Sequence, residues 1–270
     1  WQVDPTTREI RKEEVSPLQV MSPENQTAPP EATTEAYVSG VLDKNDPNVN
    51  GDGGYVMTLG FYDDLGYTYT AKFSVTPNLD NAGVPIAGSY HIGLTDIVDS
   101  NSKTILGLNG SNRDTQVQAI FGTGYDILYD TNEGTFISIG GNGQNGEPNV
   151  SQMLNLATGL PTGHTTDLGN GETQTSNFAN IRMDFSRSLN YNNGGTSTMK
   201  LLKGTTQGDG VGKKLGALTG LSVDQEGKIY GSYDNGNTVL LCQIAAAQFS
   251  NASGLEKVGN NCYQTTLNSG

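Results

Sequence analysis

Between Tyr55 and Val75 the chain reads YVMTLGFYDDLGYTYTAKFSV, the clearest structural signal in its 270 residues. Tyr67, Tyr69, Ala71, Phe73 and Val75 fall on one side of an extended backbone, and Thr68, Thr70, Lys72 and Ser74 fall on the other. A period of two with apolar residues on one side predicts a strand with one buried face. The preceding DDLG, Asp63 to Gly66, has hairpin-turn chemistry, because Asp can bond its own backbone and Gly tolerates positive φ. A similar unit recurs at DILYDTNEGTFISIGG, Asp126 to Gly141, with its turn at Asn132–Gly134.

Working away from these hairpins, EAYVSGVL from Glu35 to Leu42 reads as a further strand. FANIRMDFS, Phe178 to Ser186, fits a helical period almost as well as alternation, and its strand-rich neighbours assign it to strand. Near the C-terminus, LSVDQEGKIYGSYDNGNTVLLCQIAAAQF from Leu221 to Phe249 gives three strands in series. VDQEG makes the first turn, and Asn235–Gly236 suits the positive φ that a two-residue type I′ turn demands. The turns at Asp63, Asp130, Asp224 and Asp234 share chemistry at irregular spacing, which excludes a solenoid. The first 35 residues hold Pro5, Pro17, Pro23, Pro29 and Pro30 and read as extended or connecting segments. The reading is all-β.

Composition agrees. Hydrophobic residues make up 34%, charged residues only 16%, and there are 36 glycines, a mixture that suits short strands, polar turns and a thin core. A net charge of −13 argues against nucleic acid and anionic membrane, which need clustered Lys and Arg. No apolar run approaches the length of a membrane span. Of the two cysteines, Cys242 in VLLCQIA reads as a buried structural thiol, and spacing leaves its pairing with Cys262 open.

Three motifs invite chemistry. In DPNVNGD, Asp46, Asn48, Asn50 and Gly51 match the first half of a calcium loop, with Asp52 beside them. Position twelve is Met57 where a bidentate Glu belongs, so a solvated turn is the preferred reading and no metal site is assigned. GNGQNG, Gly141 to Gly146, satisfies G-x-G-x-x-G, and a weak helical stripe of Val150, Met153, Leu154 and Ala157 follows it. Pro148 intervenes, and the polar TGHTTDLGNGETQ that follows Pro161 supplies no second strand, so a glycine-rich loop is preferred over a dinucleotide site. His91 and His164 lack a nearby nucleophile, and most carboxylates sit in turns. No catalytic residue and no cofactor are assigned.

With these residues in view, the C-terminal run from Leu218 to Gly270 resembles the bacterial flagellar hook protein family. The family pattern is matched at Gly227, Gly231, Tyr233, Asn235, Gly236, Gln243, Ile244, Ala245, Ala247, Phe249, Asn251, Gly254 and Leu255, with Cys262 a departure at the final aromatic position. WQVDPTTREI and TTEAYVSGVLDKNDP resemble the family's N-terminal segments, and Tyr55–Val75 its opening hairpin; the middle agrees only in being β-rich. Rod proteins share the C-terminal pattern but lack so long an insertion, which favours hook over distal rod.

The resemblance implies two β-rich domains, residues 1–45 with 209–270 forming an inner one and 46–208 inserted as an outer one. It implies a structural subunit of a curved extracellular tube, exported by the flagellar secretion apparatus, that transmits torque as a universal joint. Partners would be other copies of itself, with rod, hook-cap and hook-filament junction proteins. The chain reads as a fragment without the terminal helical polymerisation segments, and as monomeric. Hinges are expected near 43–51 and 204–216, with Gly51, Gly53, Gly204, Gly210 and Gly212 as candidates. The rival readings are a secreted adhesin or carbohydrate-binding β-sandwich, and a sugar-active enzyme.

Overall fold

The segment that alternates in sequence alternates in burial: in the computed structural model Tyr69, Ala71, Phe73 and Val75 are buried while the residues between them are half-buried. Tyr67 departs from the expected face and is 43% exposed, because it precedes the strand and belongs to the turn. Described are all residues except 5, 6, 8, 13, 14, 109–111, 144, 161–163, 168–172 and 177, with backbone alone at 164–167 and 173–176. Pro5, Pro161 and most of the polar stretch that follows Pro161 therefore lie outside the described residues.

Along the chain the strands are β1 (Thr27–Ala28), β2 (Glu35–Val41), β3 (Tyr55–Tyr62), β4 (Thr68–Leu79), β5 (Pro85–Val98), β6 (Tyr125–Tyr129), β7 (Phe136–Ile139) and β8 (Ser151–Leu154). They continue with β9 (His164–Asp167), β10 (Thr173–Ser176), β11 (Ile181–Leu189), β12 (Lys200–Lys203), β13 (Gly216–Val223), β14 (Lys228–Tyr233), β15 (Thr238–Gln243), β16 (Glu256–Gly259) and β17 (Cys262–Gln264). Among the described residues two short α-helices interrupt them, α1 (Arg113–Phe121) and α2 (Leu156–Gly159). The chain forms two compact units, one of Trp1–Ala28 with Gly216–Gly270 and the other of Pro29–Leu215.

The larger unit holds a five-stranded antiparallel sheet, β3-β4-β5-β6-β7, and a four-stranded sheet, β12-β2-β11-β8, in which β2 and β11 run parallel. Their inner faces share one core that includes Val38, Phe61, Phe73, Ile92, Ile127, Met183 and Phe185. Glu35–Val41 is thus the inner strand between β12 and β11, whereas the sequence reading grouped it with residues 1–45. FANIRMDFS does carry a strand, and Ile181, Met183 and Phe185 alternate inward.

Two local expectations change. The helical stripe after Gly146 is mostly strand: Ser151–Leu154 pairs with β11, and only Leu156–Gly159 is helical. Helix α1 carries no apolar stripe that sequence periodicity could find; it is defined by its cap and by tertiary burial. Asn112 Oδ1 accepts from the backbone N–H of Asp114 and Thr115 at 2.9 and 3.2 Å, and Ile120 and Phe121 at the other end are fully buried. Phe121 meets Phe73 edge-on at 5.4 Å. Gly159 lets α2 reach α1, since a Cβ there would lie 2.3 Å from the Ile120 side chain.

The smaller unit is an antiparallel sheet, β1-β13-β14-β15, beside a separate β16-β17 hairpin. Its core is thin: Ile229, Leu241 and Cys242, with Leu18, Val20 and Val239 against them. The N-terminal segment adds to the β15 edge, where the Gln243 N–H donates to the Trp1 carbonyl at 3.0 Å. The positive-φ pair expected at Asn235–Gly236 occurs only at Gly236, whereas the β16-β17 hairpin has positive φ at both Asn260 and Asn261.

One turn recurs across both units. At Asp63, Asp80, Asp99 and Asp224 the carboxylate Oδ1 accepts the N–H groups two and four residues on, at 2.8–3.0 Å. The residue three on (Gly66, Gly83, Ser102, Gly227) has φ between 62° and 84°. This is a three-residue hairpin loop with a left-handed closing residue, and the aspartate replaces the donors' lost water. Asp63 and Asp99 are the buried members, and the Oδ2 of Asp63 has no partner among the described residues. Burial pushes the Asp63 carboxyl above the ordinary range, against the Tyr67 and Leu65 N–H bonds.

Two outcomes follow from this packing. Phe73→Ala removes a fully buried ring and should lower unfolding free energy by about 3–5 kcal/mol in a denaturant titration; a loss below about 1 kcal/mol would contradict the shared core. Asp63→Asn keeps the accepting oxygen and removes a buried charge, so it should raise the thermal midpoint at pH 7. Because the folded carboxyl titrates above 3.8, its charging withdraws stability as pH rises, and the gain should vanish in acid. The exposed counterpart Asp224→Asn should show no such gain.

Candidate functional site

The candidate functional elements are the segments by which the larger unit begins and ends, at Pro29 and Leu215, and those of the smaller unit that continue them, at Ala28 and Gly216. On the larger unit's side these segments pair as antiparallel backbone: the Glu31 and Lys213 N–H groups each donate to the other's carbonyl, at 2.9 and 2.7 Å. Thr33 locks them to the first sheet, its hydroxyl donating to the Val211 carbonyl at 2.9 Å and accepting from the Tyr62 N–H at 3.0 Å. The Asp63–Gly66 turn lies against both segments, since a Cβ on Gly66 would come within 2.9 Å of Pro30 and 3.2 Å of the Leu215 nitrogen. On the smaller unit's side, Ala28 and Thr27 pair with Gly216 and Ala217.

All five hinge candidates lie within the larger unit. Gly210 and Gly212 are left-handed and closely packed; a Cβ on Gly210 would sit 2.6 Å from the Glu35 side chain, and one on Gly212 2.4 Å from the Thr33 hydroxyl. Gly204 is likewise packed against Val211, while Gly51 and Gly53 belong to the loop before β3. Of the segments at the crossing itself, Lys214–Gly216 falls inside the joint expected at 204–216, whereas Pro29–Pro30 read from sequence only as an extended or connecting segment.

The calcium-like loop is a hydrogen-bonded knot. Asp46 is buried; its Oδ1 accepts from the Asn48 N–H and amide at 2.8 and 2.9 Å, and its Oδ2 accepts from the Ser197 N–H at 2.7 Å. The Asn50 amide donates to the Lys44 carbonyl at 2.8 Å, and Asp52 is exposed. Burial pushes the Asp46 carboxyl up, but the Asn48 and Ser197 donors outweigh it and hold it below the ordinary range. Asp43, missed in the sequence, is the second anchor: it accepts from the N–H groups of Asn45, Asn193 and Gly195 at 2.8, 2.6 and 2.9 Å. Those donors hold its carboxyl low.

The remaining reactive groups are dispersed. In His91, Nδ1 lies 3.0 Å from Asp126 Oδ1 and Nε2 3.1 Å from the Thr123 carbonyl, so both ring nitrogens are occupied. Both cysteines are free thiols; burial pushes Cys242 up, and Cys262 is exposed. Among the described residues no helix is long and apolar enough to cross a membrane.

The residues of the C-terminal pattern have structural work in the smaller unit. Gly227 and Gly236 close turns at φ 73° and 83°. Gly231 lies under Leu218 and Leu241, where a Cβ would come within 2.9 and 3.1 Å of their methyls. Tyr233 is buried and donates to the Asn25 carbonyl at 2.8 Å, tying the sheet to the N-terminal segment. Asn235 accepts from the Asn237 N–H at 3.0 Å. Gln243 donates to the Glu226 carbonyl at 2.9 Å, and the Ile244 N–H reaches the Gly227 carbonyl at 2.8 Å, although the Ile244 side chain is 50% exposed. Asn251 and Gly254 hold the Asn268–Ser269 tail, and Phe249 and Leu255 are half-buried.

Removing Asp43 strands three N–H groups. Asp43→Ala should therefore cost about 2 kcal/mol or more in a denaturant titration, with exposed Asp52→Ala near neutral. Because Asp43 and Asp46 titrate below 3.8 when folded, their contribution is present above that value and lost as pH falls beneath it. An acid melt of Asp43→Ala should be flatter there than that of the unaltered chain.

No family model matches the chain. Curated proteins do. A Borreliella burgdorferi flagellar hook protein FlgE is 30% identical over 223 residues, 81% of this chain and 41% of that protein. The Escherichia coli FlgE is 34% identical over 92 residues, 34% of this chain and 21% of that protein, and a Helicobacter pylori FlgE is 39% identical over 59 residues, 22% and 8%. Among solved structures, Helicobacter pylori flagellar hook protein FlgE2 aligns over 78% of this chain and 36% of its own, at 15% identity and a TM-score of 0.35. The matched part spans at most 41% of these curated relatives. The chain is similar in sequence to bacterial flagellar hook proteins.

Proposed function

We propose that this chain is a β-rich portion of a flagellar hook subunit, a structural component of a curved tube that turns with the motor while bending. The single observation that carries the reading is the 30% identity to a hook protein across 81% of the chain. Physical features support it. The larger unit has a closely packed aromatic and aliphatic core, which suits a body that keeps its shape under load. Surfaces rich in Asn, Thr, Ser and Gly exchange contacts at little net cost, since water replaces each lost hydrogen bond. Neighbouring subunits that slide each turn need such contacts.

In this reading the units act as two domains, the central one inserted into the terminal one, with the hinge at the crossing. One crossing segment carries Pro29–Pro30, whose fixed φ limits bending, and the other carries Lys214–Leu215–Gly216. Its partners are further copies along the tube, with rod, cap and junction proteins at the ends, and its place is the extracellular hook.

The test uses the full-length parent protein. It should assemble into curved tubes, and Pro29→Gly with Pro30→Gly should assemble equally well but give hooks whose curvature fluctuates more by electron microscopy and tethered-filament tracking. Failure of the parent to form tubes would sink the function. Tubes of unchanged stiffness would sink the assignment of the hinge.

A further inference from the structure

The larger unit carries a cleft of about 250 Å³ that the hook reading does not use. Four separate segments build it: Lys44 after β2, Ala87–Gly88 in β5, the Thr131–Gly134 turn and the Asn190–Asn192 segment after β11. Its walls are fixed from behind. The Asn190 amide donates to the Leu42 carbonyl at 2.8 Å and to the Tyr90 hydroxyl at 3.0 Å, and its N–H donates to the Gly134 carbonyl at 2.8 Å. Buried Asp43, adjacent to Lys44, clamps the N–H groups of Asn193 and Gly195. Two left-handed glycines keep the space open. A Cβ on Gly88 would meet the Tyr129 carbonyl at 2.6 Å, and one on Gly134 would meet the Tyr191 ring at 2.5 Å.

Against that rigid frame, several of the lining residues have uncommitted polar groups. No hydrogen bond or ion pair among the described residues engages the Lys44 ammonium, the Asn132 amide or the Tyr191 hydroxyl, and Asn192 uses only its oxygen, accepting from the Gly194 N–H. Tyr191 is 44% exposed. An exposed tyrosine ring offers a face to an apolar ring surface, and side-chain amides match hydroxyl groups as donor and acceptor. Tyr, Asn and Gly on rigidly held loops are also a composition that suits adaptable polar recognition. Among the lining residues the charged one is Lys44, a cation able to give charge-assisted bonds to a carboxylate.

We propose that this cleft binds an acidic saccharide of the uronate type, with Tyr191 stacking on the sugar face, Asn132 and Asn192 bonding hydroxyls, and Lys44 pairing the carboxylate. The volume, small for a ligand site, limits the occupant to about one sugar ring. The proposal stands apart from the hook reading, since it concerns one unit's surface only.

Sodium glucuronate, glucose and sodium acetate titrated separately into the ¹⁵N-labelled full chain provide the test. Glucuronate should shift the amide signals of residues 44, 132 and 191 saturably, with glucose binding at least tenfold more weakly and acetate leaving those signals unmoved. Lys44→Met should reduce glucuronate binding to the level of glucose, and Tyr191→Ala should weaken both sugars tenfold or more; both residues are exposed, and circular dichroism checks that the variants fold. No saturable shift with glucuronate, equal affinity for glucose, an equal response to acetate, or unchanged binding by the two variants would each overturn the proposal.

Discussion

An aspartate at the head of a hairpin accepts the N–H groups two and four residues further on, and a left-handed residue closes the loop. A sheet protein needs its chain to reverse in a few residues without leaving donors stranded, because each unpaired buried donor is expensive. A carboxylate oxygen solves both problems at once, and the solution recurs at Asp63, Asp80, Asp99 and Asp224, in both units. The long strands β4 and β5 have their registers set by such turns. The chain's acidic charge is to that extent a consequence of its turn chemistry.

The same chemistry reaches inward in the larger unit. Asp43 and Asp46 are buried carboxylates whose oxygens are taken up by backbone donors from Asn45, Asn48, Asn193, Gly195 and Ser197. They knit the loop after β2 to the segment between β11 and β12, parts of the chain some 150 residues apart. Hydrogen bonds to both oxygens of each carboxylate offset the cost of burying its charge. The loop that looks like a cation site in sequence is therefore an anchor for the wall on which the Lys44–Tyr191 cleft is built.

The difference between the units bears on the mechanical reading. The larger one encloses a broad core that includes Phe61, Phe73, Phe121 and Phe185, whereas the smaller one packs little more than Ile229, Leu241 and Cys242. Apolar residues such as Val223, Val258 and Tyr263 stand more than half exposed on the smaller unit. Small domains bury a smaller share of their surface and depend more on their surroundings. Subunits that find stability partly in contact with neighbours would suit a polymer.

Strand and turn were legible in sequence wherever the determinants are local: the alternation at Thr68–Val75, the Asp-Gly turns, and the glycines and Tyr233 of the C-terminal pattern. Helix α1 was not, because its first turn is held by an asparagine cap and its burial by Phe73 on a distant strand, neither of which imposes a period. The hinge glycines illustrate the same limit. Gly210 and Gly212 read as flexible, yet Thr33 and Glu35 lie against them from a segment some 175 residues away, and positive φ there serves close packing. By itself the sequence determined the β class, the turn positions and the family resemblance, since side-chain period and turn chemistry act over a few residues. Only the tertiary structure decided where the chain divides, which aspartates are buried, and which polar groups are left facing an open cleft, because those depend on which distant backbone supplies the donors.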